Sequence, residues 1–497
     1  MKLLLTGNSE INIYYIQMLC MIFFPGEKFA ENEEESPENP SLIVNADVKE
    51  DCVTVNACIS YDNKTASDIK KYDFLDLYTK ERTVKIAVGA TVLSCLSMLL
   101  GYRPPWGMLT GVRPAALVTE MFADGISKTR IKKMLTSDFS VIPKKAALAI
   151  DVALNEAKIV GIPNKNDCSV YISIPFCPTR CSYCSFVSYS SKKLLSLIPD
   201  YLNRLIVDIK NTFDTINNLN LHIKTVYVGG GTPTILTAEQ LKILLSVINE
   251  CTDVSKLEEF TFESGRPDTI DAEKMKIAKE YKVTRVCVNP QSLCNEVLNK
   301  IGRAHSDSDF FRAFDIVRES GIPIINTDII AGLPGDKFTT FASTVDTILS
   351  LRPENITVHT FSVKKAADVL RNNKKIYSAR GGDVGKCVDY SQIKSEQAGY
   401  KPYYMYRQKN TVGNCENVGF ALDGCEGLYN IYMMEEIHSI FAVGAGAVSK
   451  AVKPKAINED KRIIKRFFNL KYPYEYLRQD NNIDILNDIE GFYNEIM

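Results

Sequence analysis

Histidine and tryptophan are nearly missing from this 497-residue chain, which holds four of the first and one of the second. So few imidazoles exclude a His-rich zinc or copper centre. A surplus of charge is missing too: 59 Lys and Arg against 60 Asp and Glu leave a formal net charge of −1. Long-range attraction to nucleic acid or to an anionic membrane is therefore not indicated, and an anionic substrate must be met by a local basic site. Bilayer-length apolar runs are lacking as well. Ile13–Phe24 is stopped by Pro25-Gly26-Glu27, and Ile86–Leu100 is interrupted by Thr91, Ser94 and Ser97, so both read as buried helices. Ile13–Phe24 has neither the basic flank nor the small-residue cleavage site of a secretory signal, and the expectation is a cytoplasmic protein without a membrane span.

What is present in quantity is cysteine, 14 residues. Disulfide frameworks belong to short secreted chains, so in a long chain without a signal these thiols are expected to be reduced and free to bind metal. Hydrophobic residues at 45% and charged residues at 24% match ordinary globular domains.

Three regions follow from the pattern. Residues 1–165 read as an N-terminal α/β domain. It has a strand at Lys2–Thr6, the Ile13–Phe24 helix, an acidic loop at Glu31–Pro40, and strands at Leu42–Val48 and Val53–Ser60. Helical patterns then run to Lys144–Val160, and Gly161-Ile162-Pro163-Asn164 ends them. Residues 166–362 alternate. Strand-like runs at Ser169–Ile174, Ile223–Val228, Leu257–Phe262, Thr284–Val288, Ile322–Ile329 and Asn355–Thr360 are separated by helical segments at Lys192–Ile216, Ala238–Asn249, Ala272–Tyr281, Ser308–Ser320 and Lys337–Leu351. Such βα repeats imply a parallel sheet with right-handed crossovers, either an open sheet or a partial barrel. Residues 363–497 read as a C-terminal substrate-site or accessory region. It starts with a basic stretch at Lys364–Lys386, and Gly444-Ala445-Gly446-Ala447 precedes an aromatic tail.

In a barrel the chemistry collects where the strands end. Cysteines 177, 181 and 184 follow the first run, Gly229-Gly230-Gly231 the second, and Glu263 ends the third. Asn289-Pro290-Gln291 follows the fourth, while Asp328 and His359 lie near the ends of the fifth and sixth. Independent scatter seldom places all of these on one rim.

Cys177-Pro-Thr-Arg-Cys181-Ser-Tyr-Cys184 has the spacing C-x3-C-x2-C. Thiolates from a compact loop hold iron–sulfur clusters, and three ligands to a cubane of four irons leave one iron open to a small molecule. A structural zinc site normally wants a second C-x2-C pair, which is absent; zinc and inert packing of the three thiols both stay open at this point. Gly229–Gly231 with Thr232-Pro233-Thr234 lets backbone approach a ligand closely or makes a plain strand-to-helix turn.

The cysteine run, with Tyr183 before its last member, resembles the signature of the radical S-adenosylmethionine (SAM) superfamily. That resemblance implies an α/β fold with a partial (β/α)6 TIM-type barrel, a [4Fe–4S] cluster on Cys177, Cys181 and Cys184, and SAM as second cofactor. Carried over by position, Tyr183 lies beside the adenine, and the backbone of Gly229, Gly230, Gly231 and Thr232 meets the amino group. Glu263, Gln291, Arg303 and Asp328 become polar contacts to the cofactor, carboxylates for ammonium and hydroxyls and a guanidinium for carboxylate.

Motif order and wording further resemble the oxygen-independent coproporphyrinogen III oxidase group and its HemZ-like branch. Pro105-Trp106-Gly107 through Pro114, Tyr404–Asn410, Asn414–Gly419 and Gly444–Ala447 take part. The implied reaction decarboxylates two propionates of a tetrapyrrole in haem biosynthesis, with reduced flavodoxin or ferredoxin as electron donor. The substrate is a tetracarboxylate, so Arg180, Arg266 and Arg407 are candidates to meet it. Two stretches depart from neighbouring branches. Phe186 stands where decarboxylating members carry a fourth cysteine. Glu416-Asn417-Val418-Gly419-Phe420 stands where haem-binding chaperones carry His-Asn-x-x-Tyr-Trp. Haem delivery and radical chemistry on another substrate are the rival readings.

Overall fold

The computed structural model describes residues 1–8, 11–29, 39–75, 78–184, 188–362, 382–408, 411–453, 462–479 and 481–496. The acidic segment 31–38, Phe186, most of the 364–386 stretch and residues 409–410 lie outside them. The chain gathers into two compact units: 1–154 with 373–385 and 405–416, and 155–372 with 386–404 and 417–497.

The first unit carries a four-stranded sheet in the order β1-β2-β3-β4, from β1 (Lys2–Gly7), β2 (Ser41–Val48), β3 (Cys52–Tyr61) and β4 (Lys64–Asp73). β4 is a strand that the sequence reading left out. Its composition is polar because one side faces water and the other is only half-covered. The signal for it is Asp62-Asn63: both residues have positive φ, 53° and 57°, and join Tyr61 to Lys64 in a two-residue hairpin. The apolar helix is longer than its apolar run and spans Lys80–Leu100. By length and composition it could cross a membrane, yet most of it is buried, packed on β3 and β4.

In the second unit, β5 (Asp167–Ile174), β6 (His222–Gly230), β7 (Glu259–Glu263), β8 (Arg285–Cys287), β9 (Ile324–Ala331) and β10 (Asn355–Thr360) lie side by side in chain order, all parallel. Helices cross between them, the geometry of a partial (β/α)6 barrel. The helix expected over 192–216 is broken into Lys192–Leu195 and Ile198–Asn218. Pro199 explains the break, because its ring cannot sit one turn beyond Leu195 in a continuous helix.

The sheet continues past both ends of the six. β11 (Lys401–Tyr406) and β12 (Asn417–Ala421) extend it beyond β10, while β13 (Ser439–Val443), β14 (Val448–Lys453) and β15 (Ile463–Phe468) extend it beyond β5, giving eleven strands in an open order. At the starts of the strands, Glu259 pairs with Arg285 at 3.2 Å and accepts from the backbone N–H groups of Leu428 and Tyr429. Tyr429 stacks on Tyr171 and tilts against Tyr227, ring centroids 6.1 and 4.7 Å apart, packing the helix start at Leu428 against β5 and β6.

Candidate functional site

Parallel strands end on one edge, and here the loops leaving that edge bring the motif residues together. The cysteine loop after β5 is held from several sides. Cys177 N–H donates to the Tyr189 carbonyl at 3.0 Å, and Ser182 donates its N–H and hydroxyl to the Ile301 carbonyl at 3.0 and 3.2 Å. Gly231 N–H and Thr232 N–H donate to the carbonyls of Ile174 and Phe176, both at 2.8 Å. Cys177 and Cys181 are more than nine-tenths buried, Cys184 is half-buried, and none is in a disulfide. Burial pushes the Cys177 thiol up. Nearby Cys184 and Cys181 add to this, while hydrogen bonds from Thr232 and Ser188 oppose it.

The glycines do their work against protein. Gly230 has φ +107°, and a Cβ on Gly231 would stand 2.4 Å from the Phe176 carbonyl oxygen. Only glycine lets the β6 loop close this tightly on the cysteine loop. The Thr232 side chain turns the same way, its hydroxyl 3.3 Å from Cys177 Sγ.

From β6 to β10 runs a chain of polar side chains. Tyr227 donates to Glu263 at 2.6 Å, and Gly265 N–H and Asn289 Nδ2 donate to its other oxygen at 3.1 and 3.0 Å. Asn289 in turn accepts from the Asp328 N–H at 3.1 Å. Asp328 accepts from Asn326 at 2.8 Å and lies 3.5 Å from His359. Burial and the Asp328 charge leave the Glu263 carboxyl above its ordinary range. Burial also acts upward on Asp328, but His359, Asn326 and Thr357 outweigh it and hold that carboxyl below its ordinary range. The two carboxyl groups on this rim are thus shifted in opposite directions.

Gln291 has φ 66°, a left-handed conformation unusual for a side-chain-bearing residue. Its N–H donates to the Asp328 carbonyl and its carbonyl accepts from Ile330, at 3.0 and 2.9 Å, and its buried Oε1 has no partner. Arg303 donates to Tyr183 OH at 2.9 Å, to the carbonyls of Gly265 and Asn289 at 2.7 and 2.5 Å, and through Nε to His305 Nδ1 at 3.3 Å. A guanidinium has five donors. These four bonds leave one N–H of Nη1 without an acceptor among the described residues. His305 is neutral, pushed down to about 4 by burial and by Arg303.

Of the arginines considered for a substrate, Arg180 is exposed on the cysteine loop. Arg266 is buried and taken up by Asp268 and Thr179. Arg407, pushed down to about 10 by burial, donates to Leu109 and Asn414 in the first unit and lies over the ring of Trp106. Trp106 is fully buried and donates to Glu416 at 2.8 Å, while Lys145 meets the other Glu416 oxygen at 2.6 Å. The Gly444–Ala447 turn is bonded to protein on both polar atoms of Ala445, by Ser173 at 3.0 Å and Tyr201 at 2.8 Å. His305 escaped the sequence reading, Asn289 entered it only within the Asn289-Pro290-Gln291 motif, and Arg266 was expected to meet substrate and is engaged by protein instead. The signal for His305 was its place two residues after Arg303.

These residues fit the two cofactors. Among the described residues no three His, Cys, Asp or Glu side chains converge on a single ion, and a cubane wants each thiolate on a different iron. Three neighbouring cysteines outside any disulfide, the partnerless Gln291 Oε1 and the buried Arg303 guanidinium are the donor types that a cluster and an amino-acid ligand require.

The profile of the Radical SAM superfamily matches residues 171–348. The oxygen-independent coproporphyrinogen-III oxidase-like protein HemZ of Bacillus subtilis is 35% identical over 408 residues, covering 81% of this chain and 80% of that one. Heme chaperone HemW of the same organism is 32% identical over 310 residues, covering 62% of this chain and 77% of its own. Among solved structures, coproporphyrinogen III oxidase (HemN) of Escherichia coli aligns with TM-score 0.46 and 19% identity, covering 60% of this chain and 67% of that one.

Proposed function

This chain belongs to the radical SAM superfamily, in its group of HemZ- and HemW-like proteins, and from that premise we propose that it oxidatively decarboxylates coproporphyrinogen III. The superfamily binds a [4Fe–4S] cluster and SAM. When bound, the pair supplies the radical chemistry that removes a hydrogen from substrate.

In this reading Cys177, Cys181 and Cys184 are the iron ligands. Arg303 points its last N–H at the cofactor carboxylate, Glu263 faces the ammonium, Asp328 and Gln291 meet the ribose, and Tyr183 lies against the adenine. Gly229, Gly230 and Gly231 bring backbone close, and Thr232 anchors that loop. A propionate loses a β-hydrogen, then CO2 and one electron, and becomes a vinyl; this happens twice, and the electrons leave to an external acceptor. Arg180, exposed beside the cysteines, meets a substrate carboxylate. The domains are 1–165, 166–362 and 363–497, the last contributing to the substrate site. A reduced flavodoxin or ferredoxin in the cytoplasm delivers the electron.

The observation that carries decarboxylation over haem delivery is Glu416. It stands where haem-binding relatives place their histidine, and its carboxylate is fully buried between Lys145 and Trp106. A carboxylate tied on both oxygens is not offered to haem iron. The test is titration of the chain with haem against titration with coproporphyrinogen III. Saturable binding of the porphyrinogen with weak haem binding supports the reading, and tight haem binding without porphyrinogen binding overturns it.

A further inference from the structure

We infer that Thr232 and Arg266 set the reduction potential of the cluster held by Cys177, Cys181 and Cys184, an inference that rests on the ligand set proposed above. Each reaches a different cysteine sulfur. Thr232 Oγ1 lies 3.3 Å from Cys177 Sγ, and the side chain is 2% exposed. A free thiol and a hydroxyl can exchange donor and acceptor roles, but a thiolate bonded to iron has no proton, so the hydroxyl donates.

Arg266, 3% exposed, donates Nη1 to Thr179 Oγ1 at 2.7 Å and to its carbonyl at 3.3 Å, and the same nitrogen reaches Cys181 Sγ at 3.9 Å. Its other edge is fixed on Asp268 by Nε at 3.0 Å and Nη2 at 3.1 Å. That bidentate grip fixes where Nη1 points.

Reduction adds one electron from an external donor and neither makes nor breaks a bond. The added negative charge spreads onto the ligating sulfurs. Donors aimed at sulfur therefore stabilise the reduced state more than the oxidised one and raise the potential. Burial keeps solvent from screening them. Asp268 acts with the opposite sign, because its carboxylate cancels part of the guanidinium charge.

The signs make the test. Each protein is reconstituted anaerobically without SAM, and the midpoint of its cluster is read by electron paramagnetic resonance during potentiometric titration. Thr232→Val and Arg266→Gln are expected to move the midpoint to more negative values, Thr232→Ser to keep it, and Asp268→Asn to move it to more positive values. A merely structural role does not give opposite signs for the two halves of one ion pair. In the wild-type chain, exchange into D2O is expected to shift the Fe–S(Cys) stretching bands in resonance Raman spectra, which needs no variant to fold. Unmoved midpoints at full cluster content, or bands indifferent to D2O, overturn this inference alone. A wild-type chain that assembles no cluster overturns the ligand set as well.

Discussion

At Gln291 the backbone holds a conformation that costs an L-residue about 1–2 kcal/mol. Two hydrogen bonds to β9 keep it there, and its buried Oε1 has no partner. Gln291→Gly is therefore expected to leave the protein without ligands as stable or up to about 1 kcal/mol more stable in urea, while weakening SAM in binding titrations. A loss on both counts contradicts a ligand-facing role. His438 supplies a pH dependence. Its Nε2 pairs with the Ser169 hydroxyl at 2.8 Å, and burial pushes it down from 6.5 to about 3. The unfolded chain takes up a proton below 6.5 that the native one refuses, so stability is full above that value and falls as pH drops toward the folded pKa. Between pH 7 and pH 5 the loss from this residue is about 2 kcal/mol. Urea midpoints of wild type and His438→Gln at both pH values check it, the variant losing less on acidification. The sequence singled out the cysteines, Glu263, Arg303 and Asp328 by residue type and spacing, and the structure gathers them along one edge of the sheet. The Thr232 and Arg266 contacts to sulfur were not legible there, because which way a side chain turns depends on loops brought together from distant segments.

Among the elements, β5–β10 stood out because short β-branched runs alternate with helix-length segments, and β10 falls at Asn355–Thr360 as expected. β12 and β13 did not, because each is five residues long and buried throughout, so no alternation marks it. The turn after β6 belongs to this scale as well. A methyl group on Gly231 meets backbone of the cysteine loop, which cannot swing aside. Gly231→Ala is expected to cost about 1–3 kcal/mol and to lower iron per chain after reconstitution, measured by urea unfolding and iron analysis. Full iron content in that variant contradicts the close approach of these two loops.

Across the whole molecule, segments far apart in sequence complete each unit. Lys145 and Glu416 are 3% and 0% exposed and pair at 2.6 Å over a separation of 271 residues. Lys145→Met strands a buried carboxylate, and a loss of about 3–5 kcal/mol in urea unfolding is expected; a change below about 1 kcal/mol contradicts the pairing. No periodicity marks such a pair. The central claim is that radical chemistry here acts on a porphyrinogen. The direct measurement is to reconstitute the chain anaerobically, add reductant and SAM, and quantify 5′-deoxyadenosine and tetrapyrrole products with and without coproporphyrinogen III. Deoxyadenosine that rises with the substrate, together with protoporphyrinogen IX, is the predicted result. SAM cleavage that ignores the porphyrinogen and leaves it unchanged would contradict the account.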